Sequence, residues 1–502
     1  MSYSSTSTMP DPSRSRSCST SNDHLSVRSY GSVTVIGSPS ENGSTYKIRT
    51  FDDLVAAEDT PFTTLIEYSL VITSIITVGR LSTEKLAGAS LGSITAGVTG
   101  FSIIQGFACA LDSLLPAAWT SGNPTHVGLW TQRMLVLMAC LLVPISVVWF
   151  NVEHIFLYLR QDPEVARLGA LYLKCSVLQL PAYAFNAVVR RYFQAQKLLH
   201  VPSLITLAVA PVNIGLNYLL VWGPESINLG FVGAPIATAI SLTLMSTLYA
   251  VYGYMFTSHE AWHPVSIQSF SSLSKLLGMA LTGVGQSAAQ WWSWELISLA
   301  ASQLGPTTLA AQSVLVMTSS TIYQIPYALG VASSVRIGNL LGAGNVLEVF
   351  VASRVASMLS LLGGILSATL LMSVRHRIAY LFTDDERIAG LVADILPLVA
   401  AYQIVDGLAA VTAGMLRACG KLSTGAVSNF IAYYMIGIPL GVYLAFRQNF
   451  GLRGLWIGLT AALLFVATVL WTAVLSLDWG VQIKNAKERV EDKRPAGDSE
   501  RV

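Results

Sequence analysis

Six consecutive residues, Gln290-Trp291-Trp292-Ser293-Trp294-Glu295, place an amide, indoles and a carboxylate inside an apolar run from about Leu273 to Leu304. On a helix, Trp291 and Glu295 fall four residues apart and share a face. An indole beside an acid can receive an organic cation, the ring through its electron-rich face and the acid through its charge. A carboxylate at membrane depth costs about 2.5–3.5 kcal/mol on insertion scales, so it faces a protein interior or a wet cavity. The same residues also suit a tryptophan belt at the membrane surface, because Glu295 lies nearer the end of the run than its middle. Spacing alone leaves both readings open.

Holding such a group requires a scaffold that crosses a bilayer. Hydrophobic residues make up 53% of the chain and charged residues only 12%, against about 25% charged in a soluble domain. With a mean hydropathy of +0.56, the composition indicates an integral membrane protein. Apolar runs at about 61–79, 86–110, 129–150, 165–188, 201–222, 230–256, 273–302, 307–334, 350–373, 388–416, 424–446 and 454–477 predict an all-α chain of twelve spans. The first is the weakest, starting at Pro61 directly after Glu58-Asp59. Residues 1–50 hold fifteen serines and no apolar periodicity, the composition of a disordered tail that extends to about residue 60. Residues 478–502 form a second, charged tail. Lys and Arg are concentrated in the two tails, five in 1–50 and six in 478–502, which places both tails in the cytosol.

The chain also repeats itself. Leu86-Ala87-Gly88-Ala89-Ser90 returns as Leu309-Ala310-Ala311-Gln312-Ser313, an offset of 309 − 86 = 223. Lys197-Leu198 returns as Lys421-Leu422, an offset of 421 − 197 = 224. Each repeat holds six spans, so the halves run the same way through the membrane: a first bundle at 61–256, a linker at 257–272 and a second bundle at 273–477. Parallel duplicated bundles with a site between or within the halves are transporter architecture.

Other chemistries find little support in the residues. Cys18, Cys109, Cys140, Cys175 and Cys419 have no CxxC spacing and read mostly as small buried side chains. His259 and His263 are four apart but have no third ligand beside them, so no metal or other cofactor is expected. A membrane-embedded transferase would cluster histidines or acids at one face, and an enzyme is not expected. Gly338, Gly342 and Gly344 lack the Lys-Ser/Thr of a phosphate loop and suit a tight turn and close helix approach. No dense basic run points to nucleic acid. A lipid or oligosaccharide flippase of similar form stays open as an alternative, although the few intramembrane charges are mostly acidic and favour a cationic or neutral cargo.

Several stretches together resemble the eukaryotic branch of the multidrug and toxic compound extrusion (MATE) family. They include Cys109-Ala110-Leu111-Asp112-Ser113-Leu114, Arg190-Arg191-Tyr192-Phe193-Gln194-Ala195-Gln196, Trp291-Trp292-Ser293-Trp294-Glu295, Val335-Arg336-Ile337-Gly338-Asn339-Leu340-Leu341-Gly342 and Leu416-Arg417-Ala418-Cys419-Gly420. The match runs in order over roughly 61–477. It implies a proton-coupled exporter of organic, often cationic, compounds, with sodium as the lesser alternative, working as a monomer in the plasma or vacuolar membrane.

The resemblance also places proton-linked acids in the seventh and tenth spans. Asp406 falls at the tenth-span position, and burial there would bring proton exchange toward neutral pH. In the seventh span the acid that usually precedes the Trp-Trp pair is Gln290 here, and Glu295 lies about 140° round the helix from it. Asp406 and Glu295 are thus the expected proton-coupling residues, and Gln290, Trp291, Glu295 and Tyr402 the expected cargo contacts. Tyr402 sits one turn before Asp406 and suits simple packing better than cation binding. Asp112 reads as a helix-terminus or loop contact, and Arg190, Arg191 and Arg417 as anchors at the cytosolic ends of equivalent helices. The segment before Tyr68 departs from the family pattern, and Glu67 stands where an amide is usual.

Overall fold

Inside a bilayer no water satisfies the backbone, so long apolar runs must close their hydrogen bonds internally as helices. The computed structural model describes residues 28–30, 33–35, 73–74, 77–78, 81–158, 162–224, 226–256, 259–382 and 385–490. Most of the expected first span at 61–79, including Glu67, most of the N-terminal tail and residues 491–502 lie outside these residues. In a separate unit, β1 (Arg28–Tyr30) pairs antiparallel with β2 (Val33–Val35).

The first helical bundle comprises α1 (Glu84–Thr120), α2 (Thr125–Phe150), α3 (163–195), α4 (His200–Trp222) and α5 (Gly233–Phe256). The second comprises α6 (Leu273–Ser302), α7 (Pro306–Ala343), α8 (Val346–Val374), α9 (Glu386–Ala418), α10 (Leu422–Arg447) and α11 (Gly451–Leu475). Among the described residues, nine helices are long and apolar enough to cross a membrane; α3 and α6 are two further long segments packed among them. Local signals set the ends. Asp162 caps α3 by accepting the Glu164 and Val165 backbone N–H groups, with Pro163 in the first turn. Asn345 caps α8 through the Glu348 N–H, and Gly344 ends α7 at φ 78°.

Two segments differ from their sequence reading. The run ending near residue 110 is followed, after a turn at Cys109 and Ala110, by a further helical stretch to Thr120, and Asp112 sits in its first turn, the helix-terminus position rather than a loop. The charged tail begins as a folded helix, α12 (Trp479–Val490), which packs on the end of α1 and on α7 and α8. The linker forms short turns held to α2, where Gln132 Nε2 donates to the His263 carbonyl and Arg133 Nη2 to Ser271 Oγ at 2.6 Å.

At the centre of the second bundle stands α9, covered by α7, α8 and α11. Gly414 lies on the Gly330 backbone, which lets α7 and α9 approach too closely for a side chain. Between the bundles, Ser102–Ala108 packs on α6 and Leu111–Thr120 on α7. Glycines make that seam as well: Gly106 meets Gly283, Gly338 meets Pro116, and Gly342 meets Ala117 and Thr120. Thr120 Oγ1 donates to the Asn339 carbonyl across it at 2.6 Å.

Candidate functional site

Asp406 projects from the central helix into the interior of the second bundle and is only 4% exposed. Among the described residues its carboxyl group makes no ion pair or hydrogen bond. Tyr323, Tyr402 and Tyr433, from three different helices, lie within its electrostatic reach. A buried carboxylate with no counter-ion is poorly compensated, and such a setting suits a group that carries a proton in one state and sheds it in another. Gly407, the next residue, leaves room for Ser360 of α8 and Pro326 of α7 to close over this point. Gln403 fixes the register by donating through Nε2 to the Ser319 carbonyl and Oγ at 2.9 and 3.0 Å.

One turn away, Tyr402 is 1% exposed and packs edge-on against Trp294 and Trp456, with ring centroids 6.0 and 5.8 Å apart. Trp294 and Trp456 complete the cluster at 5.6 Å, and Trp456 Nε1 donates to Gln312 Oε1 at 2.9 Å. This aromatic group joins α6, α9 and α11 at the level of both candidate acids, since Glu295 follows Trp294 directly.

The remaining sequence candidates lie on α6. Glu295 is half-buried; Gln290 is also half-buried, and its carbonyl accepts the Ser293 hydroxyl at 2.6 Å. Trp291 is 58% exposed, while Trp292 donates Nε1–H to the Val98 carbonyl of the first bundle at 3.1 Å. Thus it is Trp294, not Trp291, that reaches the Tyr402 ring. Three residues apart on a helix, Trp291 and Trp294 differ by about 60°, enough to separate an open face from a packed one.

A second polar cluster was read differently from sequence. Asp112 is largely enclosed between the bundles and accepts a hydrogen bond from Arg191 Nε at 2.9 Å, while Arg417 Nε approaches its other oxygen at 3.3 Å. Arg191 also donates to Gln105 Oε1 and to the Ala187 carbonyl. These side chains are only 10–15% exposed. Arg191 and Arg417 therefore pair with a largely enclosed acid instead of only anchoring helix ends in the headgroup layer. Among the described residues no cluster of His, Cys, Asp and Glu could hold a metal ion.

Comparison with known proteins agrees with this architecture. The MatE family model matches twice, over residues 60–219 and 283–443. The two matches start 283 − 60 = 223 residues apart, an offset equal to that of the internal repeat. An uncharacterized transporter of Schizosaccharomyces pombe is 37% identical over 430 residues, covering 86% of this chain and 80% of its own length. Human multidrug and toxin extrusion protein 1 is 30% identical over 417 residues, covering 83% and 72% respectively. The crystal structure of the eukaryotic MATE transporter AtDTX14 superposes with a TM-score of 0.84 at 29% identity, covering 88% of this chain and 99% of that one. The chain accordingly has the two-bundle, twelve-helix fold of these multi-pass membrane proteins and is not an enzyme. It belongs to the MATE family of multidrug and toxin extrusion transporters.

Proposed function

We propose that this transporter is a secondary active antiporter that exports organic cations or amphipathic compounds in exchange for protons, by alternating access between its two bundles. The observation that carries the reading is the Asp406 carboxyl, enclosed in the second bundle and, among the described residues, making no ion pair. Proton and cargo must favour different states for their movements to be linked. Deprotonated Asp406 supplies negative charge that favours a cationic cargo; protonated Asp406 removes it and permits α7 and α9 to repack. Glu295 supplies the acidic contact at the same level, and Trp294, held in place by the enclosed Tyr402 and Trp456 rings, the aromatic one. Gln290 and Trp291 remain cargo contacts in this reading, with Trp294 added, while Tyr402, enclosed between Trp294 and Trp456, serves as packing behind them.

The acidic character of these helices favours a cationic cargo over an anionic lipid headgroup. The test is uptake of a fluorescent organic cation into liposomes under an imposed pH or sodium gradient. Wild-type protein should concentrate the dye against a pH gradient, and Asp406→Asn should not, although it reaches the membrane in equal amount. Full pH-driven transport by Asp406→Asn, or a response to sodium alone, removes the proton assignment.

A further inference from the structure

Asp112 is a partner common to two arginines that belong to different bundles. The two contacts are unlike. Arg191 Nε–H is aligned on Oδ1 at 2.9 Å, and the same guanidinium is held by Gln105 and by the Ala187 carbonyl, all within the first bundle. Arg417 Nε lies 3.3 Å from Oδ2 but forms no hydrogen bond through that nitrogen. One contact is thus built into a single bundle, and the other is a bare charge contact across the seam. Around it the seam is closed by Gly338 on Pro116, Gly342 on Ala117, and Thr120 bonded to Asn339.

We infer that Arg417–Asp112 is the electrostatic latch that keeps this face of the transporter shut, and that Arg191 is the permanent counter-ion that makes the latch reversible. Breaking a buried ion pair normally strands a charge, and this is the large part of its cost. Here the carboxylate keeps Arg191 when the bundles part, and the guanidinium of Arg417 is the group that meets water. The two arginines therefore act in opposite directions. Without Arg417 the closed face loses its cross-seam attraction. Without Arg191, opening would leave Asp112 alone, so the closed state gains relative to the open one. A merely structural triad would give the same sign for both losses, since either would weaken the one packed arrangement.

The inference rests on the alternating-access reading, and its test is independent of protons and cargo. Fluorophores introduced as non-natural residues at Asn123 and Leu347, exposed positions flanking the seam on opposite bundles, report its width by single-molecule energy transfer in the full chain in lipid nanodiscs. Arg417→Gln should raise the wide-to-narrow ratio about tenfold, equivalent to about 1.4 kcal/mol, and Arg417→Lys should restore most of it. Arg191→Gln should lower that ratio. An unchanged ratio in Arg417→Gln, or a shift toward the wide state in Arg191→Gln, overturns the latch while leaving alternating access intact. A single width in every variant overturns both. If Arg191→Gln fails to fold, the Arg417→Gln and Arg417→Lys pair still decides the role of Arg417.

Discussion

At the level of single residues, Asp406 and Glu295 are carboxyls in different settings, and the difference separates their roles. Asp406 is enclosed, and among the described residues it makes no ion pair, so replacing it by Asn strands no described partner and should cost little stability. Binding of an organic cation should tighten as pH rises in wild-type protein, because deprotonation creates the charge that attracts it. In Asp406→Asn the group stays neutral, and binding should stay at the low-pH level throughout; equilibrium dye binding across pH checks this. Glu295 is only half-buried, beside Trp294. In the proposed mechanism its charge would act on cargo through a wetter path, where Coulomb attraction is modest. Glu295→Gln should lower transport of a permanently charged cation several-fold more than that of a neutral amphipath. Equal losses for both cargoes would assign Glu295 to packing. The sequence made Asp406 visible as an acid in an apolar run, and the family resemblance supplied its role. It did not separate Trp291 from Trp294, because both lie in one short cluster and only the position of α9 and α11 decides which ring is covered.

At the level of helices, α8 contains a sharp internal comparison. A Cβ on Gly363 would meet nothing within 4 Å, whereas one on Gly364 would lie 2.9 Å from Ile404 Cα of α9. That contact is with backbone, so it is relieved only by moving a helix. Gly364→Ala should destabilise the protein by about 1–3 kcal/mol, the usual cost of overpacking. Gly363→Ala should be neutral or add up to about 1 kcal/mol through helix propensity. Thermal unfolding in one detergent would compare them, and equal shifts would show that the α8–α9 approach is looser than described. Hydropathy alone marks α8 as a span but treats these neighbours as equivalent. The helical stretch Leu111–Thr120 was hidden for a related reason: Asp112 reads as a helix-terminus or loop contact, and only α7 lying against this stretch shows that the chain stays within the protein there. Asp112 and Arg417 are 417 − 112 = 305 residues apart, and no local pattern can announce a pairing at that separation.

Across the whole molecule, the duplicated sequence suggests equivalent halves, but the acid occurs in only one. The repeat offset of 223 carries Asp406 back to position 406 − 223 = 183, which is Tyr183. That hydroxyl accepts a hydrogen bond from Gln105 Nε2 at 3.1 Å, a pairing complete without a titrating carboxyl. Among the described residues the first bundle therefore has no acid at the position equivalent to Asp406, and its largely enclosed Asp112 is already compensated by Arg191. Protonation should then alter packing in one half only. Hydrogen exchange of the membrane-embedded protein at pH 6 and pH 8, corrected for intrinsic rates, should differ in peptides from α7, α9 and α10 and match in those from α3 and α4. The π turns at Ile431–Gly437 and Tyr443–Arg447 make α10 a natural place for such adjustment, since they already depart from regular α-helical bonding. In Asp406→Asn the difference should vanish. If both bundles respond equally, or the second still responds without the acid, then the proton acts elsewhere and the asymmetry of the two halves concerns packing rather than coupling.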